Sequence, residues 1–377
     1  MLTVNGRICV RRIRWHDAQE GSQTPIDALL DEAERAISEG VREMACRLNR
    51  GANSFQQTAE NLKRAAHLEV SKETLRQLIE QEGRKVFEAQ RRGELAPDWQ
   101  ATDCRAPSGK TRTYLGADGV MVPLITDAEK KKRREKMRQK RQKSGRRCRP
   151  LPPRKEGADQ QYKEFKVVAF YDESQEHRYV NVTSGDHSLA GRMMQRMALQ
   201  IGLKQAEEKI GNVDGSPWIR NEIEFHGLVD ALGLDYYHLR DNVQKTRRVV
   251  YGEENPAGRE WKNEIMGIFY EQGCQPAWER LTAWRSTLRG VKRREADRLL
   301  NYVAQRNDMI RYPEFREHGW QIGSGPTEAQ CRASTQRVKG RGRRWDRANA
   351  EAVMALDCLE SSNAWHLYWT TLDPERN

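Results

Sequence analysis

Residues 113–124 read TYLGADGVMVPL, an apolar run broken by two glycines and a single acid. The two-residue period of a strand sets Asp118 on the same face as Val120 and Val122. A carboxylate on a face patterned for burial is costly unless something of opposite charge meets it, so this strand asks for a partner. Two further runs, FKVVAFYD (165–172) and RYVNVTS (178–184), are joined by the polar ESQEH and read as an antiparallel pair, with Asp172 as a turn residue. GNVDGSPWI (211–219) sets Asp214 in a glycine-flanked turn after a strand. LGLDYYHL (232–239) reads as a short strand running into a helix start. The fold class expected is therefore α/β, with a first strand, an antiparallel pair and further strands and helices after.

A third conspicuous acid lies in IGSGPTEAQCRASTQRVKGRGRRW (322–345), where Glu328 opens a stretch crowded with Arg and Lys. Pro326 suits a helix start and an acid suits its first turn, which accounts for Glu328 locally. Taken singly, each of the three acids has such a structural explanation. Taken together, they form a set of hard oxygen donors of the kind that binds Mg²⁺ or Mn²⁺, two ions about 4 Å apart being the arrangement used in phosphoryl transfer.

The chain of 377 residues carries +12 net charge, and one segment accounts for all of it. Residues 130–149, KKKRREKMRQKRQKSGRRCR, hold thirteen Lys/Arg and one acid. Lys130, Lys131, Lys132, Arg133 and Arg134 head a tract suited to a polyanion through counterion release; a solvated charge run is the alternative. The seven cysteines are scattered without CxxC pairs, which points to reduced thiols and no metal–thiolate site. No apolar run of membrane-spanning length and no secretory leader pattern is visible, so a cytoplasmic location is expected.

The amino-terminal third reads as helical. Asn5-Gly6 marks a hairpin within 1–23, and a long amphipathic helix is expected from Thr24 through Leu48. Residues 54–83 read as helix, short turn, helix, capped by Ser54 and Ser71. In a helix-turn-helix, Lys72, Thr74 and Arg76 would face the major groove; a plain helical hairpin is the alternative. The stretch 94–112 reads as a linker. Residues 240–315 read as helical, with Trp261, Trp278 and Trp284 as core residues.

The blocks YLGADGVMVPL, GNVDGSPWI, LDYYHLRDNVQK and IGSGPTEAQCRASTQRVKGRGRRW, in that order, resemble those of the DDE transposases of the ISKra insertion-sequence family of bacterial mobile elements. The likeness runs from about Phe55 to Trp369. It implies an RNase H-like catalytic core with Asp118, Asp214 and Glu328 as catalytic and metal-holding acids, two Mg²⁺ or Mn²⁺ ions as cofactors, and double-stranded DNA as partner. The DNA would be inverted-repeat ends and target, bound by a homodimer or larger assembly. The activity implied is strand cleavage followed by 3′-hydroxyl strand transfer. A DNA-binding protein without chemistry and a nuclease without strand transfer are the alternatives. On this reading a helical DNA-binding region spans 24–95, and the catalytic domain spans 110–239 and 316–377. A basic insertion at 127–160 and a helical insertion at 240–315 interrupt it. Arg332, Arg337, Lys339, Arg341, Arg343 and Arg344 would meet DNA phosphates, and Asp235 and His238 would have an accessory role at most.

Overall fold

The strand that opens with Arg112 is the axis of the molecule. In the computed structural model, which describes residues 1–11, 13–19, 21–24, 37–145, 149–151, 153–340 and 342–369, it is β5 (Arg112–Pro123). Before it come two small antiparallel ribbons, β1 (Leu2–Thr3) with β2 (Gly6–Arg7) and β3 (Trp15–Asp17) with β4 (Gly21–Gln23). The first closes over Val4-Asn5, one residue before the Asn5-Gly6 turn that the sequence reading expects, and Gly6 pairs with Thr3.

β5 pairs antiparallel with β6 (Tyr162–Tyr171), which pairs antiparallel with β7 (Arg178–Thr183). On its other side β5 runs parallel to β8 (Glu208–Val213), and β8 runs parallel to β9 (Ala231–Leu234). The sheet order is β7-β6-β5-β8-β9. This is a mixed α/β fold with a five-stranded mixed sheet flanked by helices.

Both faces of the sheet are covered, which is why its strands read as nearly continuous apolar runs. Leu115 and Ala117 face one core with Val168, Phe170, Met194 and Met197. That core takes in α5 (His187–Gln200), α6 (Pro217–His226) and α7 (Tyr236–Tyr251). It continues into α8 (Pro256–Glu271), α9 (Cys274–Ser286), α10 (Gly290–Ala304) and α11 (Tyr312–Glu317). Trp261 and Trp284 are buried there with ring centroids 4.3 Å apart, and the Trp284 indole donates to the Tyr251 hydroxyl at 2.9 Å. They are core residues, each fully buried large side chain contributing roughly 1.5–3 kcal/mol. The stretch 94–112 also joins this core: Trp99 and Cys104 are buried in it, so it is packed structure and not a free linker.

Tyr114, Val120 and Val122 face the opposite core, under α12 (Gly325–Thr335) and α13 (Arg347–Ser361). α12 crosses β5 at Gly116, where a Cβ would lie 1.7 Å from Thr327 Oγ1. Only glycine allows that approach. α13 is apolar nearly all round, as expected of a helix buried on several sides. Val353 and Met354 meet the sheet, while Leu356 and Leu359 meet a third core made with α1 (Glu39–Arg50), α2 (Phe55–Ala66), α3 (Lys72–Arg92) and α14 (Trp365–Tyr368).

Ser54 and Ser71 cap α2 and α3, accepting from Gln57 N and Thr74 N. α3 lies directly on α13: a Cβ at Gly83 would sit 2.3 Å from the Ala352 carbonyl oxygen. The amino-terminal helices thus share a core with the end of the chain. Of the long helix expected from Thr24, residues 25–36 lie outside the described residues, Ile37 and Ser38 are extended, with Ile37 bridged to Leu2, and helix begins only with α1 at Glu39. Among the described residues no helix is long and apolar enough to cross a membrane.

Candidate functional site

Register brings the acids together. Leu115 pairs with Gly211 across β5 and β8, an offset of 96 (211 − 115), and Asp118 and Asp214 are the same distance apart (214 − 118). Val213 pairs with Leu234 across β8 and β9, an offset of 21 (234 − 213), which also relates Asp214 to Asp235 (235 − 214). Asp118, Asp214 and Asp235 therefore lie level across three parallel strands. Asp214 and Asp235 immediately follow the carboxyl ends of β8 and β9, the edge at which open α/β sheets bind ligands.

Asp118 is half-buried, and its Oδ1 accepts the Gly119 N–H at 2.6 Å. Burial first, and the charge of Asp214 second, push its carboxyl above the usual range. The buried Cys331 thiol, on the α12 face that covers β5, is raised in turn by burial and by Asp118. Asp214 is held in its turn by Ser216, whose N–H and hydroxyl donate to it at 2.8 and 2.7 Å.

Asp235 is fully buried and caps α7 by accepting the His238 N–H at 2.9 Å. It also accepts the Ser324 N–H at 2.5 Å and the Ser324 hydroxyl. Burial alone would raise this carboxyl, but its contacts with His238 and Ser324 outweigh burial and hold it down at about 2. Ser324 is the N-cap of α12, so one carboxylate ties the start of α7 to the start of the helix that carries Glu328.

Glu328 is exposed in the first turn of α12. Across from it, His238 Nδ1 lies 3.5 Å from Asp235 Oδ1 and 4.0 Å from Glu328 Oε1, buried and without a hydrogen bond. Contact with Asp235, with the charges of Asp214 and Glu328 behind it, raises His238 against the opposing effect of burial. Donor atoms of Asp235, His238 and Glu328 all lie within 4.8 Å of one another, so this group is placed to hold a metal ion. Two features fit a cation: the mutual repulsion of Asp118 and Asp214, and an imidazole nitrogen left unbonded among carboxylates.

Of the three acids singled out in the sequence, Glu328 joins Asp235 and His238 in the group placed to hold an ion, while Asp118 and Asp214 lie level with Asp235 across the sheet, near enough to interact electrostatically with His238. Asp118 and Glu328 line the same cleft, with the exposed Arg332 and Lys339 on its wall. Asp235 and His238 are more central than the sequence reading allowed. The signal was present in the D-x-x-H spacing at a strand end, but a capping role explained it equally well.

The other basic residues are spread more widely. Lys130 is half-buried against Asp346 at 2.5 Å, Lys131 pairs with Asp127 at 3.2 Å, and Lys132 and Arg133 are exposed on α4 (Asp127–Ser144), with Arg134 half-buried there. α4 buries no residue along its length, and its root is fixed by a capping box between Thr126 and Glu129. Lys72 is exposed and Thr74 half-buried at the start of α3, while Arg76 forks between Glu73 at 2.6 Å and Glu80 at 2.5 Å. Arg344 pairs with Glu129 at 3.0 Å. Arg337, expected to meet DNA phosphates, is only 2% exposed and packs on the Phe55 and Trp345 rings at the lining of a groove. Arg341 lies outside the described residues.

A family model matches residues 1–363. The chain belongs to the uncharacterised protein family UPF0236. No curated protein matches it.

Proposed function

We propose that the chain is a metal-dependent DNA phosphoryl-transfer enzyme, an insertion-sequence transposase of the DDE type. What supports the reading is the level placement of Asp118 and Asp214 across β5 and β8, beside a group of Asp235, His238 and Glu328 whose donor atoms lie within 4.8 Å of one another. The sheet order, three antiparallel strands followed by two parallel ones, supports an RNase H-like core.

Asp118, Asp214 and Glu328 would hold the ions, with Asp235 and His238 beside them. Divalent Mg²⁺ or Mn²⁺ bound there supplies charge neutralisation at a phosphodiester and eases ionisation of the attacking oxygen. Asp235, through Ser324, keeps Glu328 at a fixed position, and a preset electrostatic site needs that rigidity. Arg332 and Lys339, on the wall of the cleft, meet the non-bridging oxygens of the scissile phosphate. The α2–α3 pair serves as a helix-turn-helix with Lys72 and Thr74 toward the duplex, and α4 adds phosphate contacts. Recognition of paired repeat ends calls for a homodimer or larger assembly.

The test is a nicking assay on repeat-containing duplex DNA with Mg²⁺ or Mn²⁺. Wild-type protein nicks one strand, and Glu328→Gln keeps its fold and loses nicking. Full nicking by Glu328→Gln, or none by the wild type, sinks the proposal. Joined strands on adding target DNA separate a transposase from a simple nuclease.

A further inference from the structure

We infer that the groove between the α2–α3 helices and the segment after α12 is a second nucleic-acid contact, a built site for a backbone phosphate. It rests on the preceding reading only in taking a polynucleotide as the ligand. The groove is lined by Phe55, Arg133, Arg337, Arg343 and Trp345 among others, and the amino-terminal end of α2, at Asn53 and Ser54, borders it.

Arg337 is the centre of the argument. It is buried, its guanidinium carbon lies 4.6 Å from the Phe55 ring centroid and 5.2 Å from that of Trp345, and its Nε donates to Asn49 at 3.1 Å. Among the described residues its two terminal nitrogens have no hydrogen bond and no carboxylate lies within ion-pair distance; the charge of Asp357, itself paired with Arg50, acts on it without pairing. A buried cation is normally paired. The aromatic faces offset part of the desolvation, and burial followed by the charge of Arg343 pulls this guanidinium down to about 10.

Arg343 repeats the pattern. Its fork is aimed by the carbonyl oxygens of Gln336 and Arg337 at 3.1 and 2.8 Å and by Asn53 at 3.0 Å, again with no acid. The acids that line the groove are already used, Glu80 by Arg76 and Asp346 by Lys130. Two preset guanidiniums, the exposed Arg133 and a helix amino terminus therefore line one groove. Planar forks with fixed geometry suit phosphate oxygens.

The experiment is duplex binding by fluorescence anisotropy at several salt concentrations in EDTA, so that catalysis plays no part. Arg337→Gln and Arg343→Gln are compared with wild type, and melting confirms that each is folded; Arg133→Gln, exposed and without a hydrogen bond or ion pair among the described residues, covers the case in which Arg337→Gln does not fold. Loss of one phosphate contact is expected to weaken binding equally across DNA sequences and to lower the slope of log K against log salt by about 0.9. Unchanged slopes in the folded variants overturn the site, as does wild-type protein without salt-dependent binding. Inorganic phosphate that raises the wild-type melting temperature while the variants keep the wild-type duplex slope would assign a free anion and overturn the backbone contact.

Discussion

The Asp235 carboxylate accepts both the backbone N–H and the hydroxyl of Ser324, 89 residues further along the chain. It thereby joins the helix that bears His238 to the helix that bears Glu328. Removing the carboxylate leaves two helix-start N–H groups without a partner inside the protein. Asp235→Ala is expected to lose about 3 kcal/mol in urea denaturation, and Ser324→Ala about 1–2 kcal/mol. Because this carboxyl is held at about 2 in the folded state, its stabilisation is complete above about pH 4 and lost as pH falls through about 2. An Asp235→Ala protein as stable as wild type at pH 7 would show that the bond does no structural work.

The approach of α12 to β5 gives a second test. A methyl at position 116 would stand 1.7 Å from Thr327 Oγ1 and 2.9 Å from Thr327 Cβ. Gly116→Ala is expected to cost about 1–3 kcal/mol and to abolish nicking, since α12 must move and Glu328 with it. Adding Thr327→Ala removes the nearer atom, so the double variant should recover part of the loss. A Gly116→Ala protein with wild-type melting and activity would show that the helix is free to shift.

The alternation in residues 113–124 made β5 and the face of Asp118 legible, because strand period is a local property. Asp214 was legible as a turn acid, but its position level with Asp118 depends on parallel register, which no local pattern carries. Asp235 and His238 showed their spacing but not Ser324, and without Ser324 a cap was sufficient explanation. Arg337 resembled its exposed neighbours because the rings that bury it come from Phe55 and Trp345, far apart in the chain. For α4 the cue was local and was missed: Thr126 and Glu129 at capping-box spacing precede a run of good helix formers, so the charge run is a helix without a buried face.

Asp118 is set at a cost to stability. Burial and the neighbouring charge of Asp214 both oppose its ionised form. Asp118→Asn is therefore expected to melt no lower than wild type while losing nicking, the pattern of a residue kept for function. Millimolar Mn²⁺ should raise the melting temperature of wild type and not of Asp118→Asn, and EDTA should reverse the rise. Equal Mn²⁺ stabilisation of both proteins would place the ion elsewhere.

Asp357 lies inside α13, only 2% exposed, with Arg50 of α1 at 3.0 Å. Burial pushes its carboxyl up to about 7 even against the pull of Arg50. The folded state thus holds this proton more tightly than the unfolded chain does. The resulting stabilisation is full below about pH 4 and fades as pH rises to about 7. Arg50→Met removes the cation paired with Asp357 and leaves the weaker pull of Arg337, so the variant relieves itself chiefly by keeping the proton. Its deficit should be small at pH 5 and grow by about 1.4 kcal/mol by pH 8, the cost of keeping the proton one unit above a wild-type value of about 7, while Asp357→Asn flattens the dependence. Urea denaturation of the three proteins at both pH values decides the matter: a deficit in Arg50→Met that does not grow with pH would mean that Asp357 is ionised throughout and that the pair is held by packing of α1 on α13.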